Sequence, residues 1–217
     1  MSVSIVLADD HRILREGLKS IITKDSSLIM VGEAENGRDT VALVKALEPD
    51  IVIMDVSMPG LNGIEATQKI TKLGLKTKVL ALSGHDSGKF VKGMLQAGAA
   101  GYLLKQCAGE ELINAIITVA SGKVYVSPNI ASLVVNDYVA HLSGEASIGK
   151  ESLSSREREV LQLIAEGHST SKIAETLFLS VKTIESHRKN MMDKLGIRNV
   201  AGLTKYAIRE GITNLDS

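Results

Sequence analysis

The first half of the chain repeats a pattern of short apolar runs, four of which end directly on polar or charged side chains. The runs are residues 5–8 before Asp9 and Asp10, residues 51–54 before Asp55, residues 79–82 before Ser83, and residues 101–104 before Lys105. Runs of this length, rich in Val and Ile and bounded by turn residues, are typical of buried parallel strands. Because the carboxyl ends of parallel strands meet at one edge of a sheet, we expect these side chains to gather where such sheets bind ligands.

Helical patterns separate these runs, and a fifth run at residues 28–32 is followed by a turn signal at residues 35–37. The predicted helices cover residues 12–22, 38–47, 63–73, 89–97 and 110–121. Five successive strand–helix units predict an α/β domain with a doubly wound, five-stranded parallel sheet of the flavodoxin-like kind. We expect this domain to span residues 1–122.

Beyond residue 152 the apolar pattern becomes purely helical. Ser154 and Glu157 form the sequence pattern of a capping box, and further helices are expected at about residues 170–177, 181–195 and 200–210. A tight connection at residues 178–180, inside a four-helix all-α unit, favours a helix-turn-helix domain over residues 152–217. Residues 123–151 are expected to form a linker, because residues 142–152 are small and polar. A short helix within this linker is expected to begin at Pro128.

Composition excludes several classes of protein. Lys and Arg balance Asp and Glu at 25 each, but residues 150–217 hold 11 basic and nine acidic residues, which permits a nucleic-acid partner without requiring one. The single Cys107 excludes an intrachain disulfide and a cysteine-rich zinc site. No apolar run approaches the roughly 20 residues of a membrane-spanning helix, and residues 1–4 lack the basic start of a signal peptide. These features predict a cytoplasmic protein with no membrane partner.

Asp9, Asp10 and Asp55 place three carboxylates at the predicted sheet edge. Carboxylates this close repel one another unless a cation neutralises them, and a few oxygen ligands suit Mg²⁺, which accepts phosphate as a further ligand. Lys105 and Ser83 would supply a positive charge and a hydroxyl donor to a phosphoryl group, and Asp55 on the central strand is the best candidate nucleophile. Each residue alone has a plain explanation as a helix cap or a surface side chain. Their joint placement at strand ends favours the phosphoryl site.

Residues 1–122 resemble a two-component receiver domain. The family pattern of an acidic pair, an acceptor Asp, a Ser or Thr, an aromatic residue and a Lys is matched by Asp9-Asp10, Asp55, Ser83, Tyr102 and Lys105. The resemblance implies that Asp55 accepts phosphate from a sensor histidine kinase. It further implies that Asp10, Asp55 and the main-chain carbonyl of Ser57 hold Mg²⁺, that Asp9 supports them, and that Ser83 and Tyr102 move together on phosphorylation. The chain departs from many receivers in having Gln106 where they place Pro.

The helix predicted at residues 181–195 has one face that suits DNA. At about 100° per residue, its buried face would comprise Ile184, His187, Met191 and Leu195. The second helix of a helix-turn-helix places its N-terminal residues in the major groove of double-stranded DNA. The predicted base and phosphate contacts are Lys182, Thr183, Glu185, Ser186 and Lys189. An ordinary solvated helix face would explain the two lysines equally well without this context.

Residues 152–212 resemble the LuxR-type helix-turn-helix in residues 153–161, 173–174, 183–187 and 194–196. Together the two halves look like a NarL/FixJ-type response regulator. That resemblance implies a phosphorylation-dependent, DNA-binding transcriptional regulator, rather than an enzyme, that forms a homodimer when phosphorylated.

Other functions are weaker on the same residues. A phosphatase with an Asp-x-Asp nucleophile motif would need a second Asp at position 57, where this chain has Ser57. A LuxR-type sensor of acyl lactones would need an aromatic pocket, and the first half of the chain holds few aromatic residues. A nucleotide-binding enzyme is disfavoured because neither a Gly-x-Gly-x-x-Gly motif nor a P-loop occurs.

Overall fold

The computed structural model of the chain describes residues 2–84, 86–142 and 153–213, and for residues 136–142 it describes the backbone alone. The chain divides into two compact units, Met1–Ala146 and Ser147–Ser217. Residues 143–151 of the predicted linker lie outside the described part. None of the helices described is both long and apolar enough to cross a membrane.

Strands and helices alternate through the first unit. The strands are β1 (Val3–Ala8), β2 (Leu28–Ala34), β3 (Ile51–Asp55), β4 (Lys78–Ser83), β5 (Gly101–Leu104) and β6 (Tyr125–Val126). The helices are α1 (Arg12–Ile22), α2 (Gly37–Leu47), α3 (Gly63–Thr71), α4 (Gly88–Ala97), α5 (Ala108–Ala120) and α6 (Pro128–Leu142). A short 3-10 turn, Lys105–Cys107, connects β5 to α5.

The sheet is parallel throughout, with the strand order β2-β1-β3-β4-β5-β6. The prediction of five strands is wrong, because Tyr125 and Val126, assigned to the linker, pair with Gly101 and Tyr102 of β5. The backbone N–H of Ser127 extends this pairing by donating to the Tyr102 carbonyl at 3.0 Å. Two residues are too few to show the side-chain pattern of a strand, so main-chain hydrogen bonding alone reveals β6.

Helices cover both faces of the sheet. Alternate strand residues face opposite sides, so residues 5, 7, 51 and 53 pack against α1 and α5, while residues 6, 8, 52 and 54 pack on the side of α2, α3 and α4. Helix α6 lies beside α4, and its Ile130 is fully buried in the core on the side of α2, α3 and α4. Burial of both faces explains why the strands read as continuous apolar runs, and it leaves their carboxyl ends free to form a site.

The second unit is built from helices α7 (Ser155–Ala165), α8 (Thr170–Leu177), α9 (Val181–Leu195) and α10 (Val200–Arg209). Its core includes Leu161, Ile173, Ile184, Met191 and Leu203. The predicted capping box is confirmed, because Ser154 and Glu157 exchange side-chain and backbone hydrogen bonds at the start of α7. Lys194 of α9 reaches the same Glu157 carboxylate at 2.8 Å and 2.9 Å. This contact holds α9 against the first turn of α7.

Candidate functional site

The polar residues predicted at the sheet edge lie at the carboxyl ends of neighbouring strands. Ala8 pairs with Met54, so Asp9 and Asp55 follow at the same level of the sheet. Ser83 pairs with Leu104 on the next two strands, which brings the following residue, Lys105, to this edge. The fold therefore brings the predicted acidic, hydroxyl and ammonium groups together, as the parallel topology requires.

A buried ion-pair network forms the centre of the site. The Lys105 ammonium lies 2.8 Å from Asp9 Oδ2 and 2.8 Å from Asp55 Oδ2. Asp9 is fully buried and Asp55 is 2% exposed. Carboxylates removed from water to this degree need compensating charge, and Lys105 supplies it to both.

Burial and charge shift two pKa values in this pocket. Loss of solvation raises the pKa of Asp55 to about 6, with the Asp9 charge adding to the rise and the Lys105 ammonium opposing it. Burial alone would lower the pKa of Lys105, but the negative charges of Asp55 and Asp9 and the hydrogen bond to Asp55 outweigh it and raise that pKa. Near neutral pH the pocket therefore presents an ionised Asp55 beside a firmly protonated Lys105.

The donor set of the pocket fits a divalent cation. Ligand atoms of Asp9, Asp10, His11 and Asp55 lie within 4.8 Å of one another. Asp9 Oδ2 and Asp10 Oδ1 are buried and accept no well-directed hydrogen bond, although Lys105 and His11 nitrogens lie 2.8 Å and 2.9 Å from them. The distance establishes an ion pair for Lys105, and the alignment of both contacts leaves a lone pair on each of the two carboxylate oxygens. Hard carboxylate oxygens with free lone pairs are the ligands that Mg²⁺ prefers.

The loop after β3 holds Asp55 closely. The backbone N–H of Ser57 donates to Asp55 Oδ1 at 3.3 Å, and Gly63 N–H donates to the Val56 carbonyl at 2.9 Å. A Cβ atom at Gly63 would collide with the Asp55 carbonyl oxygen, so only glycine allows α3 to begin this near to the site.

Ser83 and Tyr102 lie on neighbouring strands and are both fully buried. The Tyr102 hydroxyl shares a hydrogen bond with Ser83, and burial, as the largest cause, raises the pKa of Tyr102 to about 12. Tyr102 is thus neutral and inside the core, in contact with the residue that borders Asp55. The structure places both predicted switch residues together, and their roles stay a prediction.

Two basic residues near the pocket escaped prediction. His11 Nδ1 lies 3.2 Å from Asp9 and 2.9 Å from Asp10. Arg15 is 7% exposed, and its guanidinium donates to the Asp9 carbonyl at 2.7 Å. A signal for Arg15 exists in the sequence, since it occupies the first of three core-facing positions of α1 that continue through Leu18 and Ile22.

The second unit presents α9 after a tight turn. Helix α8 ends at Phe178, which has a positive φ of 54°, and Ser180 then caps α9 by accepting a hydrogen bond from the Thr183 N–H at 3.1 Å. Of the predicted buried face, Ile184 and Met191 are buried, whereas His187 and Leu195 are half-buried. The expectation that His187 packs in the core is therefore met only in part.

The opposite side of α9 is open to solvent. Four of the five predicted DNA contacts are exposed, namely Lys182, Glu185, Ser186 and Lys189. Thr183 is half-buried, and its hydroxyl lies 2.8 Å from the Ser180 hydroxyl. The N-terminal part of α9 thus combines two exposed lysines with Glu185 and short polar side chains, a set that suits phosphates and base edges.

Both units match known family models. Residues 5–117 match the response regulator receiver domain, and residues 151–207 match the bacterial regulatory proteins of the luxR family. The chain is 37% identical over 212 residues to the oxygen regulatory protein NreC of Staphylococcus carnosus, covering 96% of this chain and 98% of that protein. It is 36% identical over 215 residues to the response regulator UvrY of Escherichia coli K12, covering 99% and 98%.

Solved structures agree with these matches. The RcsB response regulator of Salmonella typhimurium is 29% identical, with a TM-score of 0.57 over 94% of this chain and 97% of that one. A complex of RcsB with DNA is 29% identical, with a TM-score of 0.59 over 95% and 98%. The similarity therefore extends over both units and includes a protein seen on DNA.

Proposed function

The chain belongs to the NarL/FixJ-type response regulators, two-component transcription regulators that join a receiver domain to a LuxR-type DNA-binding domain, and we propose that Asp55 is its phosphoryl acceptor. The observation that carries the proposal is the contact of one ammonium, Lys105, with both Asp55 and Asp9 at 2.8 Å. This geometry offers a buried carboxylate nucleophile with a fixed cation beside it.

The pocket residues take complementary roles in the transfer. An oxygen of ionised Asp55 attacks the phosphorus of a kinase phosphohistidine, the P–N bond breaks, and the departing imidazole takes up a proton. Lys105 stays protonated and stabilises negative charge on the transferring group, while the Ser83 hydroxyl donates to it. Asp10, Asp55 and the Ser57 carbonyl would hold Mg²⁺, with Asp9 in support, and the ion would neutralise charge on the phosphoryl oxygens.

Phosphorylation would shift an existing equilibrium toward a dimeric, DNA-binding form. We propose that Ser83 and Tyr102 move together in this shift, because the phosphoryl group takes up the Ser83 hydroxyl that now bonds Tyr102. In the second domain, helices α7–α10 present Lys182, Thr183, Glu185, Ser186 and Lys189 to double-stranded DNA. A dimer would read two half-sites about one helical turn apart.

The wider assignments follow from the same role. We place the receiver domain at residues 1–122, the linker at 123–151 and the DNA-binding domain at 152–217. The partner would be a sensor histidine kinase in the cytoplasm, where a lone thiol such as Cys107 stays reduced. The protein would accept and lose one phosphoryl group without acting as an enzyme on small phosphoesters.

The decisive experiment is intact-mass measurement after incubation with Mg²⁺ and acetyl phosphate. We expect one phosphoryl adduct on the wild-type chain, none on Asp55→Ala, and an unchanged adduct on Asp39→Ala, which removes an exposed carboxylate of the same domain. An adduct that persists in Asp55→Ala, or none on the wild type, would refute the acceptor assignment. Continuous release of phosphate from a small phosphoester would instead favour a phosphatase.

A further inference from the structure

Arg15 occupies a position where an apolar residue would be expected. It lies on the face of α1 that continues through Leu18 and Ile22 into the core, and it is 7% exposed. A buried guanidinium is costly unless hydrogen bonds and opposite charges compensate for its lost hydration. The hydrogen bonds and ion pairs of Arg15 therefore indicate why a charged residue occupies this position.

The Arg15 guanidinium connects two separate segments of chain. Its Nη1 donates to the Asp9 carbonyl at 2.7 Å, and its Nη2 donates to Glu35 Oε1 at 2.5 Å. The first contact is at the end of β1, where the acidic pair begins. The second is in the connection between β2 and α2. The planar fork of arginine can hold both at fixed separation, which a lysine ammonium cannot.

The segment that Arg15 holds carries two of the pocket carboxylates. Asp9 N–H donates to the Ala34 carbonyl at 3.2 Å, and the Asp9 carboxylate accepts from the His11 N–H at 2.8 Å. His11 is the N-cap of α1 but makes no side-chain capping hydrogen bond. The bond from Arg15 to the Asp9 carbonyl therefore anchors the peptide group that joins Asp9 to Asp10 from the core side.

We propose that Arg15 is a positioning residue for Asp10, a proposed Mg²⁺ ligand, and for Asp9, which supports the metal site, an inference that rests on the proposed function. The guanidinium fixes the peptide plane between the two residues, and the Glu35 carboxylate fixes the guanidinium. Partners that orient metal ligands contribute to affinity without touching the ion. Arg15 would act through Asp9 and Asp10 in this way.

Arg15 can affect Mg²⁺ affinity in two opposite ways, through its charge and through its positioning of the carboxylates. A positive charge near the pocket would by itself oppose the binding of a cation, so loss of the Arg15 charge alone should strengthen Mg²⁺ binding. Loss of positioning should weaken it. The sign of the change in Mg²⁺ affinity thus distinguishes the two effects, and a merely structural salt bridge predicts no loss of affinity.

The experiment is isothermal titration of the full chain with MgCl₂ in the absence of any phosphodonor. We expect Arg15→Gln to bind Mg²⁺ about tenfold more weakly than wild type. Arg15→Lys should recover only part of that loss, because one ammonium reaches one partner. Glu35→Gln should lose about twofold to threefold, since this carboxylate is 70% exposed.

Lys19→Gln is the matched control. Lys19 lies one turn further along α1 and pairs at 2.6 Å with Glu33, which also lies 3.9 Å from Arg15 Nε. Because Lys19→Gln keeps both Arg15 hydrogen bonds, to Asp9 and to Glu35, it should leave Mg²⁺ affinity unchanged. Urea unfolding of each variant reports the structural contribution separately. Should Arg15→Gln fail to fold, Glu35→Gln decides, because substitution of a 70% exposed side chain costs less stability than loss of a buried guanidinium.

Wild-type Mg²⁺ affinity in Arg15→Gln, or in Glu35→Gln where Arg15→Gln does not fold, would overturn the positioning role, and so would tighter binding in either variant. Absence of Mg²⁺ binding by the wild type would overturn it as well. Wild-type binding of Mg²⁺ with the expected losses, but without an adduct on Asp55, would leave Arg15 as a positioning residue and refute the acceptor assignment. The two proposals therefore fail on different measurements.

Discussion

The acidic pocket and the outer face of α9 differ in whether their charged side chains are buried and paired. Asp9 and Asp55 are buried, and Lys105 of the same domain forms an ion pair with each of them. On α9, Lys182 and Lys189 are exposed, and neither makes an ion pair with any residue in the described ranges. The pocket carboxylates have an opposite charge within their own domain, whereas the two lysines of α9 face solvent.

That difference decides how each region responds to mutation. A residue of the pocket is coupled to folding, because its charge and volume are matched by neighbours in the core. A residue on the open face of α9 contributes little to folding, so its replacement should change binding and leave stability intact. Stability measurements therefore test the pocket, and binding measurements test the helix.

The largest effect is expected for Gly63→Ala, in which function and stability fall together. The added methyl group would collide with the Asp55 carbonyl oxygen, a backbone atom that cannot turn away. We expect a loss of about 3 kcal/mol in the free energy of unfolding, since overpacking against backbone is poorly relieved. Urea denaturation measures the loss, and intact mass after acetyl phosphate should show little adduct.

Gly109→Ala is the control for this prediction. Gly109 lies in the first turn of α5, and a Cβ atom there would meet nothing within 4 Å. Alanine should stabilise that helix by roughly 0.5–1 kcal/mol. Equal stability changes in the two variants would show that α3 does not begin in tight contact with the site.

A second prediction separates function from stability within the pocket. The pKa of Asp55 is raised from 3.8 to about 6, so the folded state binds a proton more tightly than the unfolded state. The stabilisation that the protonated group provides is present below pH 4 and is lost as the pH rises through about 6. We therefore expect Asp55→Asn, which cannot ionise, to be more stable than wild type at neutral pH by about 2–3 kcal/mol. Urea unfolding without Mg²⁺ should show the full gain near pH 7.5, about a third of it near pH 4.5, and almost none near pH 3.

Asp50→Asn should give the opposite sign. Hydrogen bonds from the Ser4 side chain and backbone lower the pKa of Asp50, so its stabilisation is present above the ordinary pKa and is lost in acid. This variant should be less stable than wild type at neutral pH, with the difference disappearing as the pH falls. A destabilised Asp55→Asn protein at neutral pH would mean that the pocket favours an ionised Asp55 even without a bound cation.

The sequence could predict those parts of the site that follow from strand order or from contacts between residues close in sequence. Residues at the ends of β1, β3, β4 and β5 follow continuous apolar runs, and parallel topology brings such ends together whatever the details of packing. Asp55 and Lys105 were therefore predictable as neighbours. The capping box of Ser154 and Glu157 was predictable for a similar reason, since its contacts are local in sequence.

Other features depend on contacts that no local pattern encodes. The β6 strand has two residues and is defined by main-chain pairing with Gly101 and Tyr102. The helical pattern of α1 places Arg15 on the core side, but its partner Glu35 lies 20 residues away and no local pattern pairs the two. His187 shares the helical periodicity of Ile184 and Met191 yet stays half-buried, because periodicity gives a direction and not the depth of the neighbouring core.

On α9, replacing Lys182 and Lys189 together with Ala should change binding alone. Each lysine that neutralises a phosphate releases counterions, so the double variant should bind DNA at least about tenfold more weakly and lower the salt slope by up to about 2. Fluorescence anisotropy on duplex DNA at several salt concentrations measures both, and urea stability should stay within about 0.5 kcal/mol of wild type. Lys205→Ala, which replaces an exposed lysine of α10, is the control. Unchanged affinity in the double variant would reject the groove assignment.

The smallest effect is expected at Phe178, in the turn that leads to α9. Phe178 has a φ of 54° at the C-cap of α8 and is 95% exposed, so it bears backbone strain with almost no packing in return. Glycine adopts this conformation without a Cβ clash, and Phe178→Gly should raise the free energy of unfolding by about 0.5–1 kcal/mol. Thermal or urea unfolding measures the gain.

Glu48→Gly provides the matched change in the receiver domain, because Glu48 ends α2 with a φ of 44° and is also exposed. Similar gains at both positions would show that each side chain opposes its own backbone. DNA affinity then distinguishes the two regions. Glu48→Gly should leave DNA affinity unchanged. A loss of DNA affinity in Phe178→Gly alone would indicate that the Phe178 ring contacts DNA beside α9. A destabilised Phe178→Gly protein would instead mean that the ring packs within its own domain, which would contradict its exposure.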